Sequence, residues 1–481
     1  MIELNNVTYS YPFQSQAAVC GISLKVEAGE AVLITGESGC GKSTLVRLIN
    51  GLCPNFFQGK LNGEIFYNGQ PGKSKSLREI SSMVGTVFQD PELQFFALNV
   101  ADELAFAHEW QDKSCHEINK IVEQTALRFG ITDILSSSIH DLSEGQKQKV
   151  ALGTVLSMKP GIVVLDEPSA NLDPESTEEL ADIIQTLKKK GIAVVIADHR
   201  LYWLKNTVNK VIVMDQGKIA VKGDFSILSD QKMLDKYGLR RHKIEDLRHS
   251  LACVPENGAI KVKDLTFMYK KGPVLFDKIS FCLPNGVTGI IGNNGTGKTT
   301  LARLLTGLNR MKEGSISVNG KTVSPKQMLK RSGLVLQNTD HQLHMNSVIQ
   351  ELAAAAGELS PKNPCSKNLM NILDQFGLKD LADRHPQSLS GGEKQRLVIA
   401  CGLAKNPDVL ILDEPTSGLD GRNMKRIANM IRQAAKNGVS VIVITHDLEL
   451  LAEACDFALR LPVLNTSDNW IIEKEKIKNA S

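Results

Sequence analysis

One set of motifs occurs twice along this 481-residue chain, in the same order and at nearly constant spacing. The first set is Gly36-Glu37-Ser38-Gly39-Cys40-Gly41-Lys42-Ser43-Thr44, then Gln89, then Leu142-Ser143-Glu144-Gly145-Gln146. It ends with Ile162 to Pro168, which holds Asp166 and Glu167, and with His199. The second is Gly292-Asn293-Asn294-Gly295-Thr296-Gly297-Lys298-Thr299-Thr300, Gln337 and Leu389-Ser390-Gly391-Gly392-Glu393. Val409 to Pro415, with Asp413 and Glu414, and then His446 complete it. Ser143 and Ser390, Asp166 and Asp413, and His199 and His446 each stand 247 positions apart, and the two glutamines stand 248 apart. A period this long means duplicated domains, because solenoid repeats are far shorter. Only between loop and glutamine does the spacing change. Lys42 and Lys298 are 256 apart, so the first copy holds about eight extra residues there, around Phe56, Phe57 and Gly59.

The duplication predicts a first domain over 1–245, a linker over 246–258 and a second domain over 259–481. The linker is assigned from its polar composition and its closing turn formers, Pro255-Glu-Asn-Gly258. Each half is long enough for its own core. A net charge of +3 gives no polybasic field, which argues against nucleic acid as a partner. Basic runs such as Lys188-Lys-Lys190 and Arg240-Arg-His-Lys243 read as solvated helix ends. No basic segment followed by an apolar one opens the chain, and no apolar run approaches the roughly 20 residues that span a bilayer. A cytosolic chain that does not cross the membrane is expected. The nine cysteines (20, 40, 53, 115, 253, 282, 365, 401, 455) show no Cys-x-x-Cys pairing, which argues against a zinc site or a disulfide framework. Cys40 lies inside the first glycine loop and reads either as a site where alkylation blocks binding or as an inert filler. After Pro462 the tail, with Glu473-Lys-Glu-Lys-Ile-Lys478, reads as a frayed charged end.

Ala31 to Thr35 is an apolar run entering the first glycine loop, and Lys42 to Gly51 behind it has helical spacing, with Leu45, Leu48 and Ile49 apolar. That order is strand, loop, helix. Ile162–Leu165 and Ala193–Ile196 are further runs of buried-strand length. Val287–Ile291, Val409–Leu412 and Val441–Ile444 repeat the series. Strands buried on both faces imply a mainly parallel sheet with helical crossovers. Gly63 to Gly69 and Gly314 to Gly320 alternate and are read as edge hairpins of a smaller antiparallel layer.

A Gly-x-x-x-x-Gly-Lys-Ser/Thr loop turns successive backbone N–H groups inward around phosphates. Its lysine reaches the outer phosphates and its hydroxyl binds Mg2+. Gly36 to Thr44 and Gly292 to Thr300 are therefore nucleotide-binding candidates, with Lys42, Ser43, Lys298 and Thr299 in the named roles. Asp166 and Asp413 end apolar strands beside these loops, where a carboxylate holds the metal through water. Glu167 and Glu414 follow, placed to orient and deprotonate a water attacking the γ-phosphate. His199 and His446 follow the next strand, as expected of a γ-phosphate contact.

These residues together, above all Leu-Ser-Gly-Gly-Glu-Lys-Gln-Arg at 389 to 396, closely resemble the ATPase subunit of an ABC transporter, over nearly the whole chain and twice. The resemblance implies an α/β fold of two tandem P-loop NTPase domains. Each would have a mainly parallel sheet core, an antiparallel β layer and a helical subdomain. It also implies ATP and Mg2+ as substrate and cofactor, with Ser43, Gln89, Asp166, Thr299, Gln337 and Asp413 around the metal. In that family the Leu-Ser-Gly-Gly helix points its N-terminus at ATP held by the opposite domain. Carried over, one site pairs Lys42, Ser43, Gln89, Asp166, Glu167 and His199 with Ser390 and Gly392. The other pairs Lys298, Thr299, Gln337, Asp413, Glu414 and His446 with Ser143 and Gly145. Tyr11 and Tyr269 match the aromatic position on which adenine stacks, with Tyr9 a rival in the first copy. Glu144 departs from the pattern by replacing a signature glycine. A carboxylate roughly 8 Å from a γ-phosphate, at an effective dielectric near about 20, would cost roughly 2 kcal/mol, and nothing if it points into solvent. Two hydrolytic sites are expected, and their rates need not be equal.

Within the family, Val87-Phe-Gln-Asp-Pro-Glu-Leu-Gln-Phe95-Phe96, Val100-Ala-Asp-Glu-Leu-Ala-Phe106 and Pro54-Asn-Phe-Phe-Gln-Gly59 resemble the ATPases of energy-coupling factor importers of vitamins and of cobalt or nickel ions. That implies a peripheral subunit at the cytoplasmic face of the cell membrane. Its partners would be a membrane protein with coupling helices and a substrate-binding membrane protein. Phe95 and Phe96 would line the groove for those helices, against the plainer reading that both are core. The second copy departs here, reading Gln337-Asn-Thr-Asp-His-Gln-Leu-His344, and neither His341 nor His344 has companions that would suggest a metal. The competing readings are an ABC ATPase outside the energy-coupling group and a soluble twin-ABC translation factor, whose usual long charged linker is absent here.

Overall fold

A computed structural model of the chain describes residues 1–14, 16–111, 113–255, 257–270, 272–358 and 367–463. Cys365 and the charged tail from Glu473 lie outside the described residues. The chain forms two compact units, Met1–Ile244 with Gly418–Asn423, and Glu245–Ser417 with Met424–Ser481.

The strands of the first unit are β1 (Ile2–Ser10), β2 (Val19–Val26), β3 (Ala31–Gly36), β4 (Lys60–Tyr67), β5 (Gln70–Pro71), β6 (Val84–Val87), β7 (Ile162–Asp166), β8 (Ala193–Ala197), β9 (Lys210–Asp215) and β10 (Lys218–Gly223). Six form a sheet of order β10-β9-β3-β8-β7-β6 in which every neighbour pair is parallel except the β9–β10 hairpin. The other four form an antiparallel layer, β2-β1-β4-β5. Alternation along the central strands explains the layering. Ala31 and Leu33 of β3, Val163 and Leu165 of β7 and Val194 and Ile196 of β8 face a core that includes Leu104, Val150, Leu156 and Ile184 from the helices. Their neighbours Val32, Ile34, Ile162, Val164 and Val195 face Leu4, Tyr9, Leu45 and Leu48. Both faces of the sheet are thus covered, as parallel strands require. The β4–β5 hairpin turns at Asn68-Gly69, with φ of 49° and 78°. Two successive positive φ values match the right-handed strand twist, which suits Asn-Gly.

The second unit repeats this plan with β11 (Ala252–Cys253), β12 (Ile260–Met268), β13 (Val274–Leu283), β14 (Gly286–Ile291), β15 (Glu313–Val318), β16 (Lys321–Val323), β17 (Ser332–Val335), β18 (Val409–Asp413), β19 (Ser440–Ile444) and β20 (Phe457–Arg460). Its sheets are β11-β20-β14-β19-β18-β17 and β13-β12-β15-β16. The β15–β16 turn, Asn319-Gly320, has φ of 50° and 74°. At the edge beside β20, where the first unit places its β9–β10 hairpin partner, the second unit places β11, parallel to Phe457–Ala458. This strand comes from within the stretch 246–258, so part of that segment serves as a sheet edge.

Because Ile196 sits at the sheet centre, opposite Leu33 and Leu165 and fully buried, Ile196→Ala should cost about 2–5 kcal/mol. Leu127→Ala, at a side chain 78% exposed, should stay within about 0.5 kcal/mol of wild type. Denaturant unfolding of the two variants checks both.

Candidate functional site

In each unit the glycine loop links the central strand to a helix, Lys42–Ile49 or Lys298–Leu305. Neither helix has a side-chain cap or an acidic residue in its first turn, so its leading N–H groups remain for an anion. Gly41 makes the approach possible. Its φ is 106°, and a Cβ there would lie 2.5 Å from the Ala18 carbonyl oxygen. Lys42 Nζ donates to the carbonyls of Gly36 and Glu37, each at 3.0 Å. Lys298 Nζ does the same to Gly292 at 2.7 Å and Asn293 at 2.9 Å. Both buried ammonium groups are folded over the loop they serve. The Ser38 N–H donates to Asp420 of the same compact unit at 2.8 Å. Cys40 is buried and its thiol is pushed up, first by burial, which fits the filler reading better than a reactive one.

The carboxylates stand at the carboxyl ends of β7 and β18. Thr299 Oγ1 donates to Asp413 Oδ2 at 2.8 Å, a hydroxyl and a carboxylate in contact, which is a donor set that fits Mg2+. Burial pushes Asp413 up from the usual carboxylate range and takes Asp166 to about 6. Glu167 and Glu414 share an uncommon backbone, with φ of 48° and 47°. Each is fixed by its N–H, which donates to Ala197 O at 2.7 Å or to Ile444 O at 2.9 Å.

Beyond that point the two units differ. Glu414 accepts from Thr445 Oγ1 at 3.0 Å and from the His446 N–H at 2.9 Å, and His446 Nε2 lies 3.0 Å from Asn294 Oδ1. Glu167 Oε1 lies 3.6 Å from His199 Nε2, and its buried Oε2 has no hydrogen-bond partner. Burial raises Glu167 to about 8 and, with Lys42 adding to it, holds His199 well below the usual histidine range.

Tyr11 and Tyr269 stand in matching surroundings. Tyr269 OH lies 3.1 Å from Thr300 Oγ1 and its ring meets Phe267 edge-on; Tyr11 OH lies 3.3 Å from Thr44 Oγ1 and its ring meets Tyr9 edge-on. Tyr9 therefore corresponds to the core residue Phe267, and it is fully buried, with its hydroxyl donating to the carbonyls of Phe57 and Gln58. Ser143 and Ser390 each cap the helix that follows, Glu144–Ser157 and Gly391–Ala404, through a reciprocal bond with Gln146 or Glu393. Gly145 and Gly392 lie in the first turns of these helices. Glu144 is paired with Lys147 at 2.9 Å, and the same lysine also holds Glu92. Its charge is partly cancelled where it stands.

Gln89 and Gln337 are exposed at the start of the connecting segments. Of the two phenylalanines after Gln89, Phe95 packs on the core, while Phe96 is 76% exposed and stacks on Phe106 at 5.1 Å. Leu93 and Leu98 are exposed beside it in sequence. The segment is held by Glu103, only 3% exposed, which accepts the N–H groups of Phe96 and Ala97 at 2.9 Å. Glu351 accepts those of His344 and Met345 in the second unit. Sequence reading missed both glutamates, although Glu103 and Glu351 share the 248-residue spacing of the glutamines. Among the described residues no group of three or more His, Cys, Asp or Glu is placed to hold a metal, and no helix is long and apolar enough to cross a membrane.

Residues 19–170 and 276–417 match the ABC transporter family, more than half of the chain. The chain is 38% identical over 471 residues to a Treponema denticola protein provisionally named an ABC transporter ATP-binding protein, covering 96% of this chain and 95% of that one. It is 33% identical over 494 residues to a Bacillus subtilis protein provisionally named an HMP/thiamine import ATP-binding protein, covering 96% and 90%. An archaeal ribosome recycling factor, solved with a ribosomal stalk protein, superposes with a TM-score of 0.63 at 21% identity, over 95% of this chain and 87% of that one. That last likeness is one of fold alone.

The raised Glu167 gives a stability test. An unfolded glutamate loses its proton near 4.5, whereas the folded chain keeps it until about 8. The folded state therefore loses stability as pH rises through that window. Without nucleotide, Glu167→Gln should melt increasingly above wild type from pH 5 to pH 8, with the gap constant beyond; pH-resolved thermal unfolding measures it.

Proposed function

This chain belongs to the ABC transporter ATP-binding family, with two cassettes on one polypeptide, and on that premise we propose that it is the motor of an energy-coupling factor importer for a vitamin or metal ion. As an ABC ATPase it uses ATP with Mg2+. When bound, the metal neutralises charge on the outer phosphates. Ser43, Gln89 and Asp166 would hold it in the first cassette, and Thr299, Gln337 and Asp413 in the second.

The glycine loops and their helix N-termini bind the phosphates, with Lys42 and Lys298 swinging from the loop carbonyls to the outer ones. Tyr11 and Tyr269 stack on adenine. Glu167 and Glu414 take the proton of the attacking water, and His199 and His446 contact the γ-phosphate. The family resemblance supports composite sites, in which Ser390 and Gly392 complete the first and Ser143 and Gly145 the second. Closing on ATP and opening after hydrolysis would then move attached membrane helices at the cytoplasmic face.

The observation that carries the importer reading is the exposed apolar face following Gln89, where Leu93, Phe96 and Leu98 are 84%, 76% and 77% exposed. Large apolar side chains left exposed along one short segment mark an interaction site, and this segment is only a few residues from an ATP-site glutamine. The relative named for HMP/thiamine import supports the same class of cargo.

Replacing both glutamates, Glu167→Gln with Glu414→Gln, should lower ATP turnover by about 100-fold or more while ATP still binds. Affinity purification from detergent-solubilised membranes should recover a coupling-helix subunit together with a small, very hydrophobic substrate-binding protein. Phe96→Asp should cut that recovery by about 10-fold without lowering the melting temperature. A conventional permease with an extracellular binding protein, or ribosomal proteins, in place of that pair would overturn the importer reading and leave the ATPase.

A further inference from the structure

The two cassettes place different residues immediately before their histidines. The strand register makes the correspondence unambiguous: Asp166 lies opposite Ala197, and Asp413 lies opposite Ile444, so Asp198 and Thr445 occupy one structural position. Both are buried, at 2% and 1% exposure. Thr445 Oγ1 donates to Glu414 Oε2 at 3.0 Å. Asp198 turns the other way. Its Oδ1 accepts the Arg200 N–H at 2.8 Å, while its Oδ2 and the Oε2 of Glu167 are both buried without a hydrogen-bond partner.

We propose that Thr445 is a positioning residue that holds Glu414 by donating its hydroxyl to the carboxylate, and that Asp198 withholds this bond from Glu167, so that hydrolysis runs mainly through Glu414. The inference rests on the reading of these glutamates as the groups that activate water. Two donors to one carboxylate fix its direction, which is what a base needs. Glu167 has neither: its Oε1 lies 3.6 Å from His199 Nε2 and its buried Oε2 meets no donor. The copies thus differ in how the base is held.

The test uses the full-length chain and steady-state ATP hydrolysis at pH 7. Thr445→Val, which keeps the shape and removes the donor, should lower kcat by about 3- to 10-fold, with KM for ATP within about 2-fold. Thr445→Ser should restore the wild-type kcat. At pH 7, Glu414→Gln should lose more turnover than Glu167→Gln. Asp198→Thr should raise kcat at pH 7, a gain that misfolding cannot mimic, and it decides the matter should Thr445→Val fail to bind ATP. An unchanged kcat in Thr445→Val, no gain in Asp198→Thr, or equal losses in the two glutamine variants would overturn the proposal. Wild-type turnover in the double glutamine variant would instead overturn the underlying assignment of the glutamates.

Discussion

Both candidate sites depend on one row of backbone pairing across three parallel strands. In the first unit Ile34, Ala197 and Asp166 stand side by side, and in the second Ile290, Ile444 and Asp413 do the same. One residue past that row on its strand comes the glutamate, and two past it on the next strand the histidine. A glutamate N–H bonded to the neighbouring strand's last carbonyl locks the turn into positive φ. Slipping the register by one residue would turn each carboxylate into the opposite core layer. The apolar runs that look like mere filling are therefore what hold the charged groups level.

Most of this was legible in sequence because the motifs are local. A glycine loop between an apolar strand and a helix, or an acid ending a valine-rich run, states its own geometry. The Asn-Gly turns at 68–69 and 319–320 announce hairpins in the same way. What was not legible depends on which face a side chain takes. Tyr9 and Tyr11 lie two residues apart, but β1 ends at Ser10, so Tyr9 keeps the strand's inward face while Tyr11, just past the strand, reaches Thr44. Phe95 and Phe96 are adjacent, one inside and one outside, so treating them as a pair obscured the difference. The two-residue strand at Ala252–Cys253 was hidden for another reason: its parallel partner lies about two hundred residues away, and so short a bridge carries no periodicity of its own.

Duplication makes the copies comparable, and the comparison locates their divergence. The loop lysines fold over matching carbonyls, the tyrosines meet matching threonines, and both signature serines cap their helices. Differences collect around Glu167 and Glu414 and on the segment after the first glutamine. In the first copy that segment carries aromatic residues and in the second it carries histidines. Glu144 looked like the chief asymmetry in sequence, but its pairing with Lys147 mutes it. The deeper one is the exchange of a buried hydroxyl for a buried carboxylate.

Glu103 and Glu351 give the molecule a mechanical property. A carboxylate almost wholly enclosed, and satisfied by two adjacent backbone N–H groups, cannot release them without being stranded in apolar surroundings. The stretch after each glutamine is riveted to the helix that carries the glutamate, and it cannot flex as a loose tether. In the first cassette the rivet sits at Phe96 and Ala97, directly under the exposed aromatic face. A small displacement beginning at Gln89 would then reach the surface undamped, as through a short stiff crank, with little of the stroke lost to slack.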